Sequence, residues 1–189
     1  MSTAIYRVKA SELNGAFIHG LQDDYGSTAD VEIKVYPSGS NGRVTEDFFW
    51  EIVGLLDWGQ TDNQAITAPV VEKLASLSVR QLYEFQDMLS EKLYLLDGEK
   101  YARHIGQSAY KKGKPFSVDH FLDVRSCVVA NGREYFNHVL NHPEEMPKDT
   151  WFESLLYVVP KAYRIKTGKE FSYLPAFNYQ TYGNHSGWQ

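Results

Sequence analysis

Arg125 is the residue whose surroundings most suggest chemistry, because it stands beside a run of apolar residues. Val124 precedes it, and residues 127–130 read Cys-Val-Val-Ala. A guanidinium shielded from water needs a partner, since an unpaired buried charge is costly. Glu51, next to Trp50, is a candidate partner. We predict an internal ion pair that fixes helix register, with a ligand-binding arginine as the alternative.

A ligand or a partner protein would be bound by aromatic and charged side chains around this arginine. Tyrosine and tryptophan suit half-buried or interface positions, because each combines a large ring with a polar group. The candidate residues for binding a ligand or a partner are Trp50, Glu51, Asp119, Arg125, Tyr179 and Tyr182.

Two histidines four residues apart, His138 and His142, could present two metal ligands on one face of a helix. A zinc site needs at least a third ligand, and Pro143 places the second histidine where the helix ends. Glu144 and Glu145 follow, but acidic residues are common in such loops. We therefore predict no metal site.

The sequence contains no recognisable catalytic motif. Asp119 and His120 are adjacent, so on a helix they point in different directions, and sequence order assembles no Ser-His-acid triad. Gly39 and Gly42 are not followed by the Lys-Ser or Lys-Thr of a phosphate-binding loop. Cys127, the only cysteine, is expected to be a buried and unreactive thiol. No catalytic residue and no cofactor are predicted, which favours a protein that is not an enzyme.

The composition narrows the classes of partner. The 189 residues carry a formal net charge of −5, which disfavours nucleic-acid binding, because that binding depends on Lys and Arg against phosphate. No apolar stretch approaches the length of a membrane span. Hydrophobic residues make up 43% of the chain, enough for a core. We expect a cytoplasmic protein that binds neither nucleic acid nor a membrane.

The first 36 residues predict a small β-α-β unit. Residues 5–9 and 31–35 alternate apolar and polar side chains, as half-buried strands do. Between them, Leu13, Phe17 and Leu21 have helical spacing. A two-stranded unit needs a surface to cover it, so one prediction is a homodimer through residues 5–35. The polar segment 37–44 is then a linker, and residues 45–189 form a helical domain.

From residue 45 onward, apolar spacing predicts helices. Thr45, Ser78 and Ser117 are placed to cap helix N-termini, and Gly168 to end the last helix. The clearest helix repeats an apolar residue every three or four positions, at Leu82, Phe85, Leu89, Leu93 and Leu96. The predicted fold is mainly α, an irregular multi-helix bundle, and α+β overall once the N-terminal unit is counted.

Two further segments are less regular. After a polar break through Asn63, a second short helix is expected, with Pro69 early in it. The tail 171–189 contains no Asp, Glu, Lys or Arg but six aromatic residues. Disordered tails are usually charged and poor in aromatic residues. We therefore predict that this tail packs on its own core, with packing on a partner protein as the alternative.

Several stretches of the helical part resemble the bacterial domain-of-unknown-function family 4240. They are TEDFFWE at 45–51, the apolar stripe at 82–96, SVDHF at 117–121 with Arg125, NGREYF at 131–136 and LNHP at 140–143. The resemblance covers about residues 45 to 183 and implies a helical domain without an established activity. The N-terminal unit is an addition, similar to the N-terminal segments of antitoxin-like proteins, which are often dimerisation devices.

Two functions remain open at this point. One is a non-enzymatic protein-binding module, of immunity or antitoxin type or regulatory. It is favoured by the net negative charge, by the aromatic content of 14% and by the lack of a recognisable set of catalytic residues. The alternative is an enzyme or small-ligand-binding protein with a pocket between the helices around Trp50 and Arg125.

Overall fold

The computed structural model describes residues 15–28 and 43–189, and the chain divides into two compact units, Met1–Asn41 and Gly42–Gln189. In the first unit, helix α1 runs over Gly15–Tyr25. It contains two of the three apolar residues whose spacing predicted a helix there. The division of the chain into 1–36, 37–44 and 45–189 stays a prediction.

The α+β class is wrong. The two described ranges contain helices and no strand, so the described part of the chain is helical. The strands expected at 5–9 and 31–35, and the homodimer built on them, lie outside the described residues. The physical reason for the error is that five alternating residues are a weak signal, because helices and loops produce such short alternations as well.

The second unit begins with two short helices. Helix α2 (Glu46–Val53) is capped by Thr45, whose side chain accepts a hydrogen bond from the Phe48 amide, as predicted. Helix α3 (Asn63–Ser76) begins earlier than expected. Asp62 caps it by accepting from the Ala65 amide, and Asn63, the last residue of the expected polar break, is its first residue, so Pro69 lies in its middle.

Helix α4 (Val79–Leu95) confirms the clearest prediction. Ser78 and Gln81 form a reciprocal capping box at its start. Leu82, Phe85, Leu89 and Leu93 are fully buried along one stripe, and Leu96 is buried just beyond its end. Each such side chain stabilises the fold by roughly 1.5–3 kcal/mol through burial.

Four more helices follow α4 in the described part of the chain. They are α5 (Glu99–Ala102), α6 (Val118–Ala130), α7 (Arg133–Asn141) and α8 (Val158–Thr167), with 3₁₀ turns at Gly106–Ser108, Pro143–Glu145, Glu153–Tyr157 and His185–Trp188. Of these helices, α6 and α8 pack against α4. Ser117 caps α6 and Gly168, in the left-handed conformation, ends α8, as predicted. Gly132 has φ +90 between α6 and α7, a conformation that glycine adopts at little cost.

The tail 171–189 packs on the helical core, which confirms the prediction made from its aromatic, uncharged composition. Phe171, Tyr179 and Trp188 lie against the buried core residues. Tyr173 stacks on Tyr83 of α4 at 4.3 Å between ring centroids. In the part of the chain that the structure describes, no helix combines the length and apolarity that crossing a membrane requires.

Candidate functional site

Arg125 is held by the C-terminal tail. Its side chain has no exposed surface. One terminal nitrogen, Nη1, donates to the carbonyl oxygens of Leu93 at 2.8 Å and Tyr179 at 3.0 Å, and Nη2 donates to Thr181 Oγ1 at 3.0 Å. The guanidinium also lies over the Phe121 ring, 4.8 Å from its centroid. The arginine therefore joins α4 and α6 to the tail.

The acidic partner of Arg125 is Asp97, just after α4, with 3.9 Å between Nη2 and Oδ1. This carboxylate is also fully buried. It accepts hydrogen bonds from the tail, at 3.3 Å from the Tyr182 amide, 2.9 Å from the Asn184 amide and 3.0 Å from Trp188 Nε1. We call the assembly of Asp97, Arg125 and residues 178–189 the tail clasp.

The predicted partner Glu51 was wrong. Glu51 is exposed on α2, whereas Arg125 pairs with Asp97. Sequence reasoning missed Asp97 because its role depends on backbone groups of the tail some 85 residues later. The sequence did offer one indication of Asp97, since this carboxylate directly follows the apolar stripe of α4. Burial of Arg125 lowers its pKa to about 10, while the charge of Asp97 acts in the opposite direction.

The other predicted binding residues fall into separate environments. Trp50 is buried and packs against Phe49 and Phe136. The Tyr179 carbonyl and the Tyr182 amide both belong to the tail clasp, and the Tyr182 ring lies on Trp188 at 4.5 Å. Asp119 is exposed in the first turn of α6. The six candidates therefore do not line one pocket, and the binding role assigned to them stays a prediction.

Trp50 belongs to a second polar cluster inside the bundle. Its Nε1 donates to Glu46 Oε1 at 3.3 Å, and Lys92, which is nearly buried on α4, lies 2.8 Å from the same oxygen. These two hydrogen bonds hold the pKa of Glu46 below its ordinary value. Lys92 also lies over the Phe136 ring. The cluster ties α2, α4 and α7 together, so its groups are occupied by structural contacts.

Exposed aromatic rings accompany acidic residues where α6 meets the 3₁₀ turn Glu153–Tyr157. Trp151 is 57% exposed, and its ring meets the edge of the His120 ring at 5.4 Å. The backbone anchors this region, because the Phe152 amide donates to the Asp123 carbonyl at 3.1 Å. We call the surface formed by Asp119, His120, Asp123, Trp151 and Glu153 the Trp151 surface.

The carboxylates of the Trp151 surface repel one another. Partial burial raises the pKa of Asp123 above its ordinary value, and the charges of Glu153 and Asp119 raise it further, while His120 acts in the opposite direction. Among the described residues, Asp119, Asp123 and Glu153 form no ion pair with a lysine or arginine. On the far side of Phe152, Trp58 is half exposed and its ring lies 5.0 Å away.

The two histidines considered as metal ligands lie at the end of α7. The His138 and His142 rings stack at 4.8 Å, and His142 Nδ1 is 3.5 Å from Glu144 Oε1. Within residues 15–28 and 43–189, no group of three or more His, Cys, Asp or Glu side chains could hold a metal ion. Cys127 is buried, as predicted, and burial raises the pKa of its thiol, which disfavours the nucleophilic thiolate.

An open depression of about 800 Å³ lies beside the tail clasp, between α5 and the end of the tail. Its charged lining residues have partners on the protein. Glu99 pairs with Arg103 in the same helix, and Glu144 faces His142. Lys100 lies over the Tyr101 ring at 4.7 Å. These groups stabilise one another and do not converge on a common point for a ligand.

The fold and its clasp define a helical domain closed by its own tail. Residues 44–165, more than half of the chain, match the family described as protein of unknown function, DUF4240, and the chain belongs to this family. This confirms the resemblance over those residues. No curated protein and no solved structure matches the chain. The resemblance of the N-terminal segment to antitoxin-like proteins is not supported.

Proposed function

We propose that the protein is a non-enzymatic protein-binding module and that the Trp151 surface is its binding site. The observation that carries the proposal is the exposure of Trp151, 57% in a well-packed domain. Tryptophan is enriched at the centre of protein interfaces because its burial there contributes a large part of the binding energy. An indole that stays in water on a well-packed domain is therefore a candidate anchor.

The positions of the charged groups support a non-enzymatic role. A general acid or base has to reach the proton that it transfers. Arg125 and Asp97 are fully buried, and the tail occupies their terminal polar atoms. Trp50 is buried as well, so an alternative pocket around Trp50 and Arg125 has little side-chain surface to offer a ligand.

Among protein-binding roles, the acidic balance favours a neutraliser of immunity or antitoxin type, or a regulatory partner. Acidic surfaces steer the approach of basic proteins and raise association rates. A net charge of −5 and the three neighbouring carboxylates of the Trp151 surface fit this role. A homodimer through residues 5–35 stays a separate prediction.

The test is affinity capture with the tagged full-length chain as bait, in three forms. We expect the wild type and Leu174→Ala to capture the same stoichiometric partner and Trp151→Ala to lose it. Leu174 is the matched control, because it is also a large apolar residue and is 87% exposed, but it lies in the tail. Equal capture by Trp151→Ala and the wild type would overturn the proposal.

A further inference from the structure

We infer that the segment bound at the Trp151 surface is cationic, a stretch of a partner protein rich in arginine or lysine. This inference rests on the proposed function and adds the chemistry of the partner to it. It depends on two features of the surface that act together, an exposed indole ring and carboxylates that form no ion pair with a lysine or arginine of the described residues.

The exposed Trp151 ring can bind a cation, and the described residues do not place one over it. Elsewhere the protein places cations over rings, as with Arg125 over Phe121 and Lys92 over Phe136. Among the described residues, no lysine or arginine lies over Trp151 or Trp58. Tryptophan is the aromatic side chain that attracts cations most strongly, and the Trp151 ring pairs edge-to-face with the His120 ring.

The carboxylates provide charge complementarity around that ring. Asp119 and Asp123 lie four residues apart and therefore on one face of α6. Glu153 belongs to the 3₁₀ turn Glu153–Tyr157. Partial burial raises the pKa of Asp123, and the negative charges of Glu153 and Asp119 raise it further, so the three acids are close enough to interact. A guanidinium or ammonium group placed among them relieves this repulsion and pairs with two or three acids at once.

The arrangement favours a protein segment over other cationic ligands. The acids lie on two different elements, α6 and the turn Glu153–Tyr157, and Trp151 adds an aromatic face, so the surface offers more contacts than one small cation uses. A chain with several basic side chains does. Nucleic acids are disfavoured, because phosphates would meet three carboxylates.

The probe is a twelve-residue peptide of alternating arginine and serine with blocked ends, titrated into the full-length protein by isothermal calorimetry. The test variant is Asp119→Asn/Glu153→Gln, and the control Glu51→Gln/Glu72→Gln removes the same charge from exposed acids elsewhere. We expect the Kd to rise about fivefold in the test variant and less than about twofold in the control, since each exposed ion pair contributes a small factor.

Equal changes in the two variants would overturn the inference, because the peptide would then respond only to net charge. Thermal unfolding followed by circular dichroism checks that both variants are folded, as expected for exposed positions. Failure of the inference is distinguishable from failure of the proposed function. If Trp151→Ala abolishes capture of a partner while Asp119→Asn/Glu153→Gln leaves it unchanged, the binding module stands and its cationic ligand does not.

Discussion

The tail clasp and the Trp151 surface both involve α6 and use their side chains in opposite ways. In the clasp, a buried arginine and a buried aspartate meet backbone groups of the tail. At the Trp151 surface, an exposed indole lies with two exposed carboxylates and one partly buried carboxylate, and no lysine or arginine of the described residues pairs with these acids. The comparison shows that the charged residues most suggestive of chemistry stabilise the packing of the tail. An exposed aromatic side chain is the better indication of where a partner binds.

The largest loss of stability is expected for Arg125→Met, because this change leaves the Asp97 carboxylate buried without its cation. Removal of one partner from a buried ion pair costs about 3–5 kcal/mol, and urea unfolding measures the loss. The double variant Asp97→Asn/Arg125→Met removes both charges and should be less destabilised than the single one. Equal losses in the two variants would mean that the clasp does not depend on the pairing of charges.

The next largest loss of stability is expected where the tail closely approaches the end of α4. A Cβ added at Gly187 would clash with the Asp97 carbonyl oxygen and lie 3.0 Å from Gly98 Cα. Because these are backbone atoms, Gly187→Ala should cost about 1–3 kcal/mol, as overpacking does. The neighbouring exposed change Ser186→Ala is the control, and a similar loss in both would contradict the close packing of the tail.

Tyr173 gives a prediction that depends on pH. Its hydroxyl donates to Asp87 Oδ2 at 2.8 Å, and Tyr173→Phe should lose about 1.5 kcal/mol, since the acceptor is charged. Burial, the hydrogen bond to Asp87 and the Asp87 charge raise the pKa of Tyr173 to about 12. Between pH 10 and 12 the folded state then keeps a proton that the unfolded state releases, so stability falls as pH rises.

The measurement for Tyr173 is the difference in unfolding free energy between the wild type and Tyr173→Phe at several pH values. The difference should be constant below pH 10, because the hydroxyl is then protonated in both states. It should shrink as pH rises through the raised pKa. A difference that stays constant up to pH 12 would argue against the contact with Asp87.

The smallest effect on stability is expected for Trp151→Ala. Its side chain is mostly exposed, so the free energy of unfolding should change by no more than about 0.5 kcal/mol. Affinity for the partner should nevertheless fall about tenfold or more, as at interface hot spots. A large loss of stability would instead show that Trp151 supports the fold, and the contrast with the clasp would disappear.

Local features of the fold were predictable from the sequence. The stripe Leu82–Leu96 and the caps Thr45, Ser78, Ser117 and Gly168 depend on neighbours within a few residues. Such spacing acts through the helix itself, so one sequence suffices to recognise it. The packing of the tail was also predictable, because an aromatic segment without charges gains by leaving water.

Non-local features were not predictable in the same way. That Arg125 would be buried followed from its apolar neighbours, but its partner did not, since Asp97 reaches it only through the folded end of α4. The choice of Glu51 failed for that reason. Trp151 was overlooked because exposure is a property of the packed chain. Sequence alone does not distinguish an indole that stays in water from one that fills the core.

The most direct test of the account compares amide hydrogen exchange of the protein alone and with its captured partner. We expect slower exchange in residues 118–123 and 150–153, which carry the Trp151 surface, and unchanged exchange in the clasp residues 178–188. Protection confined to 178–188 and to the depression beside α5 would contradict the account. Such protection would place the partner's binding site at the tail clasp, to which we assign a structural role.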